Sequence, residues 1–498
     1  MSGWLISRDR LGVYSALPKE DIPMASPGIV KHSPDIVTAW WADLMKHTAK
    51  SKKDDPNYYA HQPETLCTES SVKSFMVGNG EDIYTRLSRS IELAQSEIVL
   101  VTCFWAHSPS LEKLAASLKV LSEKVVQSGR RKVRIFIGFS SLSLFQKLFQ
   151  TASLNGREYH PSEWPKKLNL PPESQLPGLD IHIKSIFVRP FSVMHPKFVI
   201  IDRKMAWLPS CNVSWESWFE GAVSLEGPVV DSFVDFWKHF WLRGDGHFSD
   251  ESDFTRPEER NMAATEQGQQ RTSTPGPAHN LIELEALSSV YTVFLPSPHH
   301  VNPNFRPWPW IQAHPPPPTP LNHFILLLFQ SASSTIYMQT PNLTAPPVLT
   351  ALFAALGRGV HVHILTSDRL MILEQLVTAG ATTTRCINKL TKRYIRLSKD
   401  LRRQPYDEES SLRPEIGQLT IEYFKPKDGG KRGEPVQSHL KLTIVDQQWV
   451  ILGSGNMDRA SWYTSQELGV AFHSANLAKK VGTVVHDQMM GRTTSVYP

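Results

Sequence analysis

The sequence predicts an α/β fold built twice over, and three observations carry that reading. Strand-like and helix-like stretches alternate in both halves of the chain. A short motif of the form His-x-Lys-x-x-x-x-Asp occurs once in each half, and a polar stretch with little apolar patterning separates the two. At 498 residues the chain is also longer than one ordinary core accommodates. A hydrophobic fraction of 41% with 20% charged residues suits a globular rather than a disordered chain. The formal charge of +5 tolerates an anionic partner without marking a dedicated nucleic-acid binder.

Residues 1–74 form an N-terminal extension that shows little of the repeat. Its first residues, MSGWLISRDRLG, lack the continuous apolar core of a signal peptide, and DIVTAWWADLMKH reads as a short amphipathic helix. The first repeated unit spans 75–245. SEIVLVTCFW (96–105) reads as a strand, LEKLAASLKVLSEKV as a helix and KVRIFIGF (132–139) as a strand, before the motif-bearing VMHPKFVIID. Residues 246–319 are a disordered or Pro-rich linker: 244–280 is rich in Ser, Thr, Glu, Gln and Pro, and AHPPPPTP (313–320) suits polyproline turns. The second unit, 320–498, repeats the plan with STIYMQT, VLTALFAALGRG, VHVHILTSD and HLKLTIVD.

Runs such as IVLVTCFWA and FILLLF are far shorter than the ~20 apolar residues a membrane-spanning helix needs. The expected location is intracellular, either cytoplasmic or peripheral on an organelle membrane. Cys67, Cys103, Cys211 and Cys386 lie far apart without a CxxC pair, which argues against a disulfide framework or a structural zinc.

The first motif reads His195-Pro-Lys197-Phe-Val-Ile-Ile-Asp202, followed by Pro209-Ser210-Cys211-Asn212. The second reads His439-Leu-Lys441-Leu-Thr-Ile-Val-Asp446, followed by Gly453-Ser454-Gly455-Asn456 at the same distance. On a strand, residues i and i+2 share a face, so His195 and Lys197 project together, as do His439 and Lys441. Asp202 and Asp446 have the opposite parity and sit near a strand end, which suits a turn-fixing role. Ser210 and Ser454 belong to the turns that present Asn212 and Asn456.

These residue types suit a phosphodiester. Charge deepens on its non-bridging oxygens as phosphorus becomes five-coordinate, and lysine and asparagine donors stabilise them. One imidazole can attack phosphorus while a second protonates the leaving oxygen. Glu220, downstream of His195, and Glu467, downstream of His439, are candidates to accept the Nδ1–H of the histidine each follows.

Both motifs, HPKFVIID…PSCN and HLKLTIVD…GSGN, resemble the HxKxxxxD…GSxN signature of the phospholipase D superfamily, and NMDRASWYTSQELGVAF resembles its cardiolipin synthase branch. The resemblance implies two αβα sandwich domains forming a pseudo-two-fold pseudo-dimer, with one active site at their interface. It implies a two-step reaction through a phosphohistidine that uses no metal and no cofactor, with His195 as nucleophile and His439 as general acid. The implied substrate is a phospholipid, an anionic glycerophospholipid above all, met at a membrane surface. The implied chemistry is phospholipase D hydrolysis or transfer of a phosphatidyl group to an alcohol.

Two departures stand out. Pro209 replaces the usual glycine, so the first turn is expected to differ from the second. The membrane-spanning helices common at the N-terminus of bacterial cardiolipin synthases are also missing, which bears on the exact lipid reaction. A nuclease on the same fold and a non-catalytic lipid-binding scaffold are the competing readings. Intact aspartates in both motifs argue against the tyrosyl-DNA phosphodiesterase branch, and no basic groove interleaved with aromatics is evident, so nucleic acid is not the expected partner. The oligomeric state is not readable.

Other features carry less. In KLTKRYIRLSKDLRR, Lys389, Lys392, Arg393, Arg396, Lys399 and Arg403 follow helical spacing beside Leu390, Tyr394, Leu397 and Leu401. This is a solvated surface helix by default and an anionic-lipid contact by the functional reading. His361 and His363 lack clustered acids or thiols and read as strand polar residues rather than metal ligands. Trp308 and Trp310 suit loop packing first and a membrane interface second. No Walker loop or Gly-x-Ser-x-Gly elbow is present.

Overall fold

A computed structural model describes residues 34–48, 62–142, 155–188, 192–242, 281–283, 287, 289–298, 315–403, 415–430 and 433–497. The first N-terminal residues, most of the polar linker, Trp308 and Trp310 lie outside the described residues.

Seven strands of the first half form one sheet. They are β1 (Cys67–Gly78), β2 (Glu97–Phe104), β3 (Val133–Ser141), β4 (Leu179–Ser185), β5 (Phe198–Ile201), β6 (Met205–Pro209) and β7 (Trp218–Glu226). Seven strands form the repeated part of a second sheet: β8 (Val290–Ser297), β9 (Thr335–Thr340), β10 (His361–Thr366), β11 (Leu419–Phe424), β12 (Leu442–Val445), β13 (Trp449–Gly453) and β14 (Glu467–His473), with Thr493–Tyr497 added antiparallel on the outer edge of β11.

The first sheet runs β1-β7-β6-β5-β2-β3-β4, with β2, β3 and β4 parallel and the other neighbours antiparallel. The second runs β8-β14-β13-β12-β9-β10-β11, again with only its last three strands parallel. The order and sense of pairing are therefore the same in both halves, and the expected α/β architecture is present. Parallel strands need crossover connections, and helices supply them. The helices of the described residues are α1 (Asp35–Thr48), α2 (Gly80–Ile91), α3 (Pro109–Ser128), α4 (Val229–Trp241), α5 (Pro320–Ser331), α6 (Pro346–Gly357), α7 (Ile372–Ala379), α8 (Thr383–Arg403), α9 (Arg459–Tyr463) and α10 (Ala475–Met489), of which α3 crosses from β2 to β3, α6 from β9 to β10, and α7 and α8 from β10 to β11.

Local chemistry sets the ends of these elements. Ser108 caps α3 by accepting Leu111 N–H, Pro109 occupies its first turn, and Gly129 ends it at φ 62°. Asn79 and Asp82 form a reciprocal capping box on α2. In β2 every residue from Glu97 to Cys103 is buried, as expected of a strand covered on both faces.

The halves are joined in two ways. The start of β1 pairs with β8 and the remainder with β7, so a single strand enters both sheets. One buried cluster also crosses between them: Phe233 and Phe236 of α4 lie 5.0 and 6.1 Å from Phe294 of β8, ring to ring. The amphipathic helix expected near the N-terminus is α1. Its Trp40 is fully buried against Phe324 of α5 and donates its indole N–H to Pro320 O.

The halves differ beneath the helix that follows their last strand. In the first half the Phe136 ring packs at a tilt against Trp237 of α4, 4.9 Å between centroids. In the second, α10 leaves a cleft of about 710 Å³ lined by Tyr337, His361, His363, Glu422, Gly482 and His486, among others. His363 Nε2 lies 2.7 Å from Glu422 Oε2, and His361 Nδ1 accepts Gln418 N–H.

Candidate active site

The motif strands begin later than the sequence pattern suggests. Both β5 and β12 start one residue after the motif lysine, so His195, Lys197, His439 and Lys441 occupy extended segments ahead of the strands. The reason lies in their backbone partners. His195 N–H donates to Gln466 O of the other half, and Gln466 N–H donates to Val193 O. His439 N–H donates to Phe219 O, with Gln437 and Ser438 running parallel to Trp218 and Phe219. Each motif segment thus leaves its own sheet to pair with the other half.

This exchange overturns the expected carboxylate pairing. Glu467 does not reach His439, nor Glu220 His195. His195 Nδ1 lies 2.8 Å from Glu467 Oε2, and His439 Nδ1 lies 2.7 Å from Glu220 Oε1. Each glutamate orients the histidine of the opposite half, because the segment beside it comes from that half. The motif serines hold the glutamates from their own halves. Ser210 Oγ donates to Glu220 Oε2, and Ser454 Oγ donates to Glu467 Oε2 at 2.5 Å. The same hydroxyls accept Gly221 N–H and Leu468 N–H.

Pro209 does not alter this turn. Ser210 N–H still donates to Gly221 O at 2.8 Å, matching Ser454 N–H to Leu468 O at 2.9 Å. The asparagines do differ. Asn212 Oδ1 accepts Phe104 N–H at 3.3 Å. Asn456 Nδ2 donates to Asp458 Oδ2 at 3.1 Å, while its buried Oδ1 has no partner.

Asp202 and Asp446 stand away from these groups. Each has φ 51° and is followed by a second residue at φ 53°, so each opens a tight left-handed turn. Asp202 accepts the N–H groups of Gln95, Ser96 and Glu97 and the Ser96 hydroxyl. Asp446 accepts those of Ser333, Ser334 and Thr335 and both serine hydroxyls. Each carboxylate therefore ties the start of a central strand to a motif hairpin.

The two lysines are buried. Lys197 Nζ donates to His195 O at 2.8 Å. Lys441 Nζ donates to His439 O at 2.7 Å and lies 2.8 Å from both ring nitrogens of His439. Burial pushes Lys441 down to about 7 and His439 to about 3, despite the opposing pull of Glu220 on both. Burial also lowers His195, against the pull of Glu467. Each histidine senses the lysine of the other half as well as its own, so the two motifs form one electrostatic unit. Glu220 and Glu467 resist the upward push of burial because a histidine faces each, and both stay below the usual carboxylate range.

The imidazoles are therefore not equivalent. The His195 side chain is 14% exposed and that of His439 only 3%, with an ammonium against its ring. His439 is the harder of the two to protonate.

Two residues of the site were not anticipated from the sequence. Trp218 lies over the His439 ring at 4.6 Å, and its place two residues before Glu220 on β7 is the signal that could have found it. Asp458 is buried, bonds Asn456, caps α9 through Ser461 N–H, and is raised by burial. Its cue was an N-cap aspartate just past the asparagine. Among the described residues no group of three His, Cys, Asp or Glu side chains converges as metal ligands would.

Residues 325–488, which hold His439, Lys441, Asn456 and Glu467, match the family described as cardiolipin synthase, PLD-like domain. The second half is thus similar to that family. It is similar to cardiolipin synthase B of Escherichia coli (strain K12), at 25% identity over 170 residues. That match takes in 32% of this chain and 36% of the relative, so the chain aligns with about a third of the length of the curated relatives it matches. The fold of the whole extends the likeness. Phosphatidylserine synthase of Haemophilus influenzae Rd KW20 superposes with a TM-score of 0.51 at 13% identity, over 86% of this chain and 89% of that one.

Proposed function

We propose that the chain is a phosphodiesterase or phosphatidyltransferase acting on a phospholipid through a covalent phosphohistidine. The observation that carries this reading is the crosswise pairing of His195 with Glu467 and His439 with Glu220, which brings both His-Lys pairs into one site. Neither half could orient its own histidine.

The roles follow from the asymmetry. An attacking imidazole must be neutral and a proton donor must be charged. His439, deeply buried beside the Lys441 ammonium, is the neutral partner and the nucleophile. His195, more exposed and held by Glu467, is the more readily protonated of the two and so the general acid, the reverse of the order that the family resemblance implies. Nε2 of His439 forms a bond to phosphorus as the bond to the leaving oxygen breaks, and His195 supplies that oxygen with a proton. Water or an alcohol then gives a proton to His195 and attacks phosphorus, releasing His439. Lys197, Lys441, Asn212 and Asn456 stabilise the equatorial oxygens.

The substrate class rests on the names of the relatives, cardiolipin synthase B and phosphatidylserine synthase, both lipid enzymes. The test is turnover of phosphatidylglycerol vesicles beside single-stranded DNA, with phosphoenzyme trapping from a phosphodiester bearing a good leaving group. Lipid turnover is expected, and His195→Ala still forms the phosphoenzyme while His439→Ala does not. DNA cleavage without lipid turnover contradicts the substrate, and label retained only in His439→Ala reverses the roles. No turnover of either substrate contradicts the enzymatic reading and favours a scaffold.

A further inference from the structure

Helix α7 is built inside out. Its buried side chain is Gln375, which bonds Asn342, Leu370 O and Thr383, while Ile372, Leu373, Leu376 and Val377 face solvent with Met371 ahead of them. Leu373 is 80% exposed. A helix that packs onto a domain shows the reverse pattern, and a contiguous exposed apolar face marks a contact surface. The segment leading into it holds Arg369 and Met371 at φ 56° and 53°, a conformation that costs non-glycine residues about 1 kcal/mol or more each. The outward presentation of α7 is thus fixed by the backbone ahead of it and by a buried glutamine at its middle.

The location of this face ties it to the site. Ser367, just before α7, donates its hydroxyl to Ser438 O, next to His439, and accepts Ser438 N–H. Gln437 Nε2 donates to Asp368 O, and Val436 N–H donates to Ser217 O of the first half. Val436 is exposed, and so is Trp215, whose ring meets Phe104 at 5.6 Å. Exposed apolar side chains from both halves therefore stand on the segments that flank the histidines.

Charge adds direction. α8 follows α7 directly and exposes Arg385, Lys389, Lys392, Arg396 and Lys399 along one face, with Ile387, Leu390 and Tyr394 buried on the other. Arg393 turns instead onto the Phe353 ring. An apolar helix face beside a basic helix suits a surface that is apolar within and anionic at its boundary. The side chains of Leu401 and Arg403, part of the same stripe in sequence, lie outside the described residues.

We propose that α7, with Trp215 and Val436, seats the mouth of the active site on an anionic lipid bilayer, and that the α8 stripe holds the headgroups. This rests on the phospholipid reading above and names the surface that would deliver the substrate. A second copy of the chain or an apolar protein partner is the outcome against which it is tested.

The experiment is co-sedimentation of the full chain with vesicles of phosphatidylcholine and phosphatidylglycerol, and with phosphatidylcholine alone. Wild type is expected to sediment with the mixed vesicles far more than with the neutral ones. The paired Leu373→Ser and Leu376→Ser change lowers the bound fraction at least about tenfold. The Lys389→Glu and Lys392→Glu pair lowers it at low salt, with less effect at high salt. Turnover of a soluble short-chain phosphodiester stays unchanged in both variants, which shows that they fold. Because sedimentation is read without turnover, failure of docking and failure of the enzymatic reading remain distinguishable. Wild type that ignores the mixed vesicles overturns the proposal. So does serine-variant binding equal to wild type, or a concentration-dependent dimer in sedimentation velocity that the serine pair abolishes.

Discussion

Lys441 sits fully surrounded by protein, and burial moves its ammonium down to about 7. The cationic form is the one that stabilises phosphoryl oxygens, so activity should decline as pH rises through that region and not near the ordinary lysine value of about 10.4. Lys441→Arg keeps a cation at every accessible pH and should move the alkaline limb upward while lowering kcat, as a pH–rate profile would record. Glu467 offers a second check at this scale. Glu467→Gln should lower kcat by about 10- to 100-fold, the usual range for a residue that orients another. In ¹⁵N-histidine spectra it should move the Nδ1 signal of His195 and leave that of His439 in place. The opposite response would restore the pairing within each half.

The turns at Asp202 and Asp446 show what an element-level reading could and could not reach. Opposite parity to the histidine placed both aspartates at strand ends, and they open turns there with φ 51°. Asp446→Ala removes five hydrogen bonds to residues 333–335 and should cost about 2 kcal/mol or more, measured by denaturant unfolding. Asp446 is lowered because backbone and hydroxyl donors outweigh burial, which acts to raise it. Its ionised contribution is therefore complete above the unfolded value of about 3.9 and is lost as pH falls through the folded one. Strand and helix alternation was equally legible, because hydrophobic period is a local signal. The crosswise glutamates were not. His195 and Glu467 are 272 positions apart, His439 and Glu220 219, and their meeting depends on where one half lies on the other. The outward face of α7 was also hidden, since a run such as MILEQLV reads as core until its glutamine is seen buried.

At the scale of the molecule, the two sheets share strand order, a strand, and a buried cluster that runs from α4 to β8. Separating them would expose Phe233, Phe236 and Phe294 together. Calorimetry should therefore show one cooperative transition, and two resolved transitions would mean that the halves fold independently. The same junction makes the site, since the segments carrying His195 and His439 each hydrogen-bond the opposite half. Turnover of a soluble phosphodiester by His195→Ala and by His439→Ala, each against wild type, tests this most directly. A single site built from both halves predicts that either change alone leaves less than about 1% of activity, because both histidines serve every turnover. Two variants that each keep about half of the wild-type rate would show two independent sites and contradict the account.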